Sequence, residues 1–254
     1  MHRVLVAAAA VITLCFGAGS ASAQDAGGLY GGVVIGTNND TELSIDTIGT
    51  TAFLNLGPTI VPTQLKPTID GISYGVVMGS NFNGDGPLMW GWEIDIVGGG
   101  DNKAASFFGA PIPGIAPTGI TTSASKEYGL RASLRGRLGL SFNDRIFVYG
   151  TGGLAIAHVE TNASVVANGA PTVLWTGRNT QSLTGWAVGV GAELRIVDGA
   201  VLRAEYIYTD LGKGTVTAVG NSTVRANLAL NGIDYVARTD YNGGEVRAGL
   251  LFNY

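Results

Sequence analysis

Large apolar residues in this chain recur at every second position, and that period leaves few folds open. In Ile72-Ser73-Tyr74-Gly75-Val76-Val77-Met78-Gly79 the even positions are large and apolar, while the odd ones are mostly small. Trp90-Gly91-Trp92-Glu93-Ile94-Asp95-Ile96 repeats the pattern with two acids on the minor face. Residues 128–138 place Arg131, Arg135 and Arg137 on one face, and residues 186–196, 202–206 and 246–254 continue the series. Successive side chains of a strand point to opposite sides, so each segment is a strand with an apolar face and a small-or-charged face. Residues 29–36 form a first strand with Leu29, Val33 and Ile35 on one side. Residues 146–159 are extended, but Gly150, Gly152 and Gly153 blur which side is which. The total is eight strands.

Only 13% of the residues are charged, and 40 of the 254 are glycine. Disordered chains need low hydrophobicity and high charge, so that class is excluded. A net charge of −4 gives no basic footprint, and nucleic acid is excluded as a partner. Residues 1–23 read as a secretory signal: Arg3 is the positive end, residues 4–18 the apolar stretch, and Ala21-Ser22-Ala23 the cleavage site. Residues 24–254 are then the mature barrel domain. The one cysteine, Cys15, leaves with the signal, which excludes disulfides and thiolate metal sites. After Ala23 no stretch stays apolar for the roughly 18 residues that a spanning helix requires.

The connections alternate in length. Short turns fall near residues 83–87, 143–145 and 197–200, rich in the Asn, Asp and Gly that tight turns favour. Long links fall near residues 38–68, 98–125, 161–181 and 212–239. The expected fold is therefore all-β: an eight-stranded antiparallel up-and-down transmembrane β-barrel with short periplasmic turns and four long extracellular loops. The charges say which face meets lipid. The minor faces carry Glu93, Asp95, Glu127, Glu193, Glu205 and Glu245 against Arg131, Arg135, Arg137, Arg195, Arg203 and Arg247. The apolar faces carry none in their central parts. A charge at the bilayer midplane costs about 2–4 kcal/mol in a barrel, so the apolar faces point outward. Six acids against six arginines imply a paired luminal network, since unpaired buried charge is strongly unfavourable. The alternative is that these residues line a narrow water or ion path.

At Leu202-Arg203-Ala204-Glu205-Tyr206-Ile207-Tyr208-Thr209-Asp210-Leu211-Gly212 the chain resembles the small outer-membrane β-barrel proteins of alphaproteobacteria. This is the OmpA-like porin family, which includes surface antigens and haemin-binding members. Gly91-Trp92-Glu93-Ile94-Asp95-Ile96, the Arg-Gly-Arg-Leu-Gly within residues 130–140, and Tyr149-Gly150-Thr151-Gly152-Gly153-Leu154-Ala155 resemble further strands of that family. Arg247, Gly249, Phe252 and Tyr254 match its terminal assembly signal. The resemblance implies an outer-membrane location, contact with outer-membrane lipid and lipopolysaccharide, and the barrel-assembly machinery as partner during insertion.

Catalytic and metal sites are not expected, nor is a cofactor. His158 is the one histidine left after signal removal. Some lipid A-trimming barrels use a histidine with a nearby serine and carboxylate, but no serine stands two residues after His158. A metal needs several converging ligands. Glu93 and Asp95 share a face, and arginines across the lumen make them ion-pair partners instead of a catalytic pair. Two links are unusually apolar. One holds Phe53, Leu54, Leu56, Ile60 and Val61, and the other Phe107, Phe108, Ile112 and Ile115. Either they pack together over the barrel mouth or extend its strands, or Phe53, Phe107 and Phe108 present a surface for haem or a host ligand. The expected function is a non-enzymatic structural and surface role in the envelope. A narrow porin and a haem receptor are the alternatives.

Overall fold

The computed structural model describes residues 28–38, 44–66, 71–83, 86–99, 103–143, 145–170 and 173–253. The proposed signal segment and Tyr254 lie outside them. Three hairpins with tight turns build most of the sheet: β4 (Ile72–Asn83) with β5 (Leu88–Gly99), β7 (Ile120–Phe142) with β8 (Ile146–Ala167), and β9 (Leu174–Val197) with β10 (Ala200–Gly220). At the second turn Asn143 takes φ 50°, and at the third Gly199 takes φ 84°, the left-handed backbone that Asn and Gly tolerate best. β1 (Leu29–Asn38) and β11 (Tyr235–Asn253) pair antiparallel from Tyr30↔Asn253 to Asn38↔Glu245 and close the ring. Eight strands in the order β1-β4-β5-β7-β8-β9-β10-β11 thus form the expected up-and-down barrel.

The outward side chains of β8 run Ile146, Val148, Gly150, Gly152, Leu154 and Ile156, then change to His158, Glu160, Asn162 and Ser164. On β9 the same face runs from Ile196 to Trp186 and then through Thr184, Ser182, Thr180, Arg178 and Thr176. The apolar belt is therefore about ten residues deep on each strand, or about 25 Å tall for tilted strands, the depth of a bilayer core. Aromatic pairs mark both margins. Phe82 and Trp90 lie 4.5 Å apart near the turns, and Trp186 and Tyr208 lie 5.6 Å apart near the opposite rim. Tyr and Trp favour such interfaces, where one end of the ring is apolar and the other wet.

The long links are shorter than expected, because β7–β11 continue well past the belt. The described residues outside the strands are 168–170 and 173 between β8 and β9, and 221–234 between β10 and β11, where they hold α2 (Ser222–Ala226). The first link carries β2 (Ile45–Thr47), α1 (Thr51–Leu54) and β3 (Gln64–Leu65), and the second carries β6 (Lys103–Gly109). β6 pairs with β7, β2 with β11, and β3 with β2. The Ala110 N–H donates to the Thr59 carbonyl at 2.8 Å and ties the two links together. Inside this distal storey the pattern inverts. Ile45, Phe53, Val61, Leu65, Val165, Trp175, Val216, Val224 and Tyr235 form a buried apolar core with Thr122 and Thr239 among the inward residues, while Ser123, Ser125, Ser164, Thr176 and Thr215 face outward. The belt half is apolar outside and charged inside; the distal half is polar outside and apolar inside. The first solvates in lipid and the second in water, each by the same alternation.

Two bulges sit where one pattern gives way to the other. Tyr128 pairs with Val159 but Arg131 pairs with Ala157, so β7 carries one extra residue there. Asp210 pairs with Asn242 and Lys213 with Asp240, so β10 does the same. Gly212, at φ 79°, occupies the second bulge, and its N–H donates to Asp210 Oδ1 at 2.8 Å. A bulge shifts the two-residue alternation by one position, so side chains of one parity change sides.

Candidate functional site

The belt half of the lumen is filled by a charged lattice. Glu93 and Asp95 come from β5, Arg131, Arg135 and Arg137 from β7, Glu193 from β9, Arg203 and Glu205 from β10, and Glu245 and Arg247 from β11. Arg135 is the hub. Its Nη2 donates to Glu93 Oε1 at 2.6 Å and to Asp95 Oδ2 at 2.8 Å, and its Nη1 donates to Glu205 Oε1 at 3.0 Å. Towards the turns, Arg203 Nη2 lies 2.6 Å from Glu93 Oε2 and 2.7 Å from Glu193 Oε1. Arg137 donates to Glu193 as well. Towards the distal storey, Arg247 donates to Asp95 at 3.2 Å and to Glu245 at 2.9 Å, Arg131 stands 3.5 Å from Glu245, and Ser73 donates to Glu245. Ten of the twelve expected residues are in this lattice, five of each sign.

Glu127 and Arg195 are not. Glu127 stands exposed on the outer face, directly across β8 from Glu160, and Lys126 takes the inward place. The β7 bulge lies between Glu127 and the arginines, so the parity that places Arg131 inside places Glu127 outside. Arg195 keeps inward parity, but it lies two residues from the end of β9 and is exposed at the mouth on the turn side.

Two tyrosines join the lattice without having been foreseen. Tyr30 donates to Glu93 Oε2 at 2.6 Å and accepts from Arg137 Nη1 at 2.5 Å. Tyr149 donates to Glu205 at 3.2 Å, and the Arg137 guanidinium stacks 3.8 Å from its ring centroid. The signal for Tyr30 was present, since Leu29, Val33 and Ile35 outside put it inside. For Tyr149 it was not, because glycines removed the contrast between the faces of β8. Glycine is needed opposite both rings. A Cβ on Gly79 would stand 2.5 Å from the Tyr30 hydroxyl, and one on Gly191 would stand 2.5 Å from Tyr149 Cζ.

The lattice leaves little free space. A cavity between Tyr128, Arg131, Tyr241 and Glu245 has about 20 Å³, and so has one between Asp95, Ser133, Ile207 and Arg247. Each is the size of a single water. Above them Lys126 is buried, donates to the Asp240 carbonyl at 2.8 Å, and lies 4.9 Å from the Tyr241 ring centroid.

The apolar links pack over the barrel mouth and extend its strands. Phe53 is buried and contacts Tyr235 at 5.3 Å between centroids. Phe107 packs against the same core, whereas Phe108 is 67% exposed on the other face of β6. These three residues do not form one surface, because alternation along β6 separates Phe107 from Phe108 and the plug encloses Phe53.

On the outer rim, Ser182 Oγ lies 3.1 Å from His158 Nδ1, a serine brought by strand pairing and not by sequence spacing. Glu160 accepts from Asn162 at 2.9 Å with one oxygen and from Arg178 at 2.6 Å with the other. The Asn162 hydrogen bond, with the Arg178 guanidinium, holds the Glu160 carboxyl below the usual carboxylate range. Of the terminal signal, Arg247 and Gly249 have inward parity and Phe252 faces outward.

Residues 7–250 match the family model described as an outer membrane protein beta-barrel domain. A 31 kDa outer-membrane immunogenic protein of Brucella melitensis is 31% identical over 168 residues, covering 66% of this chain and 65% of the relative, just under two thirds of its length. A 22 kDa outer membrane protein of Rhizobium leguminosarum is 27% identical over 125 residues, covering 49% of this chain and 46% of the relative. The crystal structure of the outer membrane protein OprG from Pseudomonas aeruginosa aligns with a TM-score of 0.51 at 14% identity, covering 91% of this chain and 97% of that one. That likeness is one of fold.

Proposed function

This chain belongs to the outer-membrane protein β-barrel domain family and resides in the outer membrane, and from that premise we propose that it is a closed, non-conducting and non-enzymatic barrel. Its task is structural: it spans the membrane and holds a folded storey at the cell surface. The observation that carries this reading is the double closure of the lumen. The belt half is blocked by five arginines and five carboxylates that neutralise one another, and the distal half by the plug of β2, α1 and β3. Water or ions crossing the barrel would have to break ion pairs that have little solvent to replace them. Its partners are outer-leaflet lipid and lipopolysaccharide around the belt, and the barrel-assembly machinery, which reads Arg247, Gly249, Phe252 and Tyr254 during insertion. The match to a terminal assembly pattern supports the latter.

The test is conductance of the purified, folded protein in planar bilayers. The expected record is flat, without discrete steps across ±100 mV or so, while the same sample shifts its gel mobility on heating, as folded barrels do. Regular single-channel steps from heat-modifiable protein would replace this reading with the narrow porin.

A further inference from the structure

On the turn side the lumen ends in a small cup that the ion-pair lattice does not use. Ile146 pairs with Leu194, so Arg145 and Arg195 are the next cross-strand neighbours, and the Arg195 N–H donates to the Arg145 carbonyl at 2.8 Å. Both keep the inward parity of Phe147 and Glu193, and both are exposed at the mouth. Like charges directly opposite each other on neighbouring strands are destabilising, unless an opposite charge comes between them. Among the described residues neither guanidinium has an ion-pair partner. Glu193, the carboxylate that lines the cup, already accepts from Arg137 and Arg203. The lattice behind it is balanced, so the two mouth arginines are an excess of positive charge that the lumen does not neutralise.

The rest of the cup narrows the class of anion. Its volume is about 60 Å³, room for a small planar group and its first neighbours. Asn81 Oδ1 accepts from Arg137 at 3.2 Å, which leaves the Asn81 N–H groups available to a ligand. Ser141 and Asn253 add a hydroxyl and a second carboxamide, while Met89 and Val201 give the cup an apolar side. Guanidinium forks match a planar carboxylate through parallel N–H···O bonds. The carboxamides and the hydroxyl match the peptide group behind it, and the apolar side matches a small side chain. We propose that this cup binds the terminal carboxylate of a peptide presented from the periplasm, held by Arg145 and Arg195. The cup opens inside the ring of strands, so its ligand arrives from water and not from the plane of the membrane. The proposal rests on the outer-membrane reading above, with the short turns on the periplasmic side. Two sources carry this chemistry there: stem peptides of the cell wall and soluble peptides.

The test titrates the full mature chain, in phosphatidylcholine nanodiscs, with N-acetyl-D-Ala-D-Ala, with the same peptide as its terminal amide, and with inorganic phosphate. Calorimetry is expected to show the acid binding about ten-fold or more tightly than either the amide or phosphate. Arg145→Gln/Arg195→Gln weakens the acid by about ten-fold or more, whereas Arg178→Gln on the outer face of the distal storey leaves it unchanged. Heat-shifted mobility on gels identifies folded protein in every arm. Relief of the like-charge contact keeps the urea midpoint of Arg145→Gln at or above that of wild type; an arginine with a merely structural role would lower it. Absence of binding by the acid, equal binding of acid and amide, binding that survives the double replacement, or tighter binding of phosphate each overturns the proposal. Sedimentation with purified cell-wall sacculi separates the sources. Wild type that co-sediments while the double variant does not identifies the wall, and peptide binding without co-sedimentation identifies soluble peptides; both outcomes support the site. A barrel that folds, stays closed and binds no peptide loses the cup but keeps its structural assignment.

Discussion

Glu93 receives hydrogen bonds from Tyr30 and Arg135 and faces the Arg203 and Arg137 guanidinium groups, with no exposure to solvent. Removing one member of such a buried set leaves the others charged and unpaired, at a cost of about 3–5 kcal/mol. Glu93→Ala is expected to lower the unfolding free energy of the barrel by that much, read as a fall in the urea midpoint at unchanged slope by tryptophan fluorescence in lipid vesicles. An unchanged midpoint would mean that the lattice relaxes around the loss. Glycine gives a paired prediction. A Cβ at Gly191 collides with Tyr149, so Gly191→Ala is expected to cost about 1–3 kcal/mol. At Gly152 the nearest atom to an added Cβ is 3.6 Å away, and Gly152→Ala is expected to be neutral or to stabilise by about 0.4–1 kcal/mol. Equal effects at the two sites in the same unfolding assay would remove the steric account. At this scale the sequence carried the identities of the lattice residues well. It did not carry the tyrosines' partners, which come from strands as far as 107 residues away, as Tyr30 and Arg137 do.

Each long strand changes solvent midway along its length. On β9 the outward residues Val188 and Val190 lie in the belt, and Thr180 and Arg178 lie beyond it on the same face. Arginine in place of Val190 would have to enter hydrocarbon and is expected to cost about 2–4 kcal/mol. Arginine in place of Thr180 is expected to stay within about 0.5 kcal/mol of wild type, as exposed surface changes do. Insertion yield into vesicles and the unfolding midpoint read both, and equal losses would put the membrane boundary elsewhere. The period-two pattern made the belt halves of these strands legible. Their distal halves read as loops because Ser, Thr, Asn and Gly there resemble turn composition, while the small apolar residues facing inward, such as Ala163 and Ala218, give little contrast. Pairing with neighbours, not side-chain periodicity, holds those halves extended.

As a whole, the molecule is one closed eight-stranded barrel whose strands β7–β11 run on into a folded distal storey of inverted polarity. Because either storey alone blocks the lumen, replacing residues 44–66 with a short linker is expected to leave planar bilayers without conductance steps. It would expose the distal core and speed proteolysis near residues 221–234. Conductance on deletion would mean that the plug is the gate and the lattice is leaky. By itself the sequence determined the strand count, the belt, the outward direction of the apolar face and the balance of luminal charge, because alternation and the cost of charge in hydrocarbon act locally on each strand. The tertiary structure alone decided that Glu127 leaves the lumen and Lys126 enters it, that Phe53 is enclosed, and that the links become a second storey. The first outcome depends on the β7 bulge, and the other two on strand pairing and packing between segments far apart in the chain, which no local stretch of sequence displays.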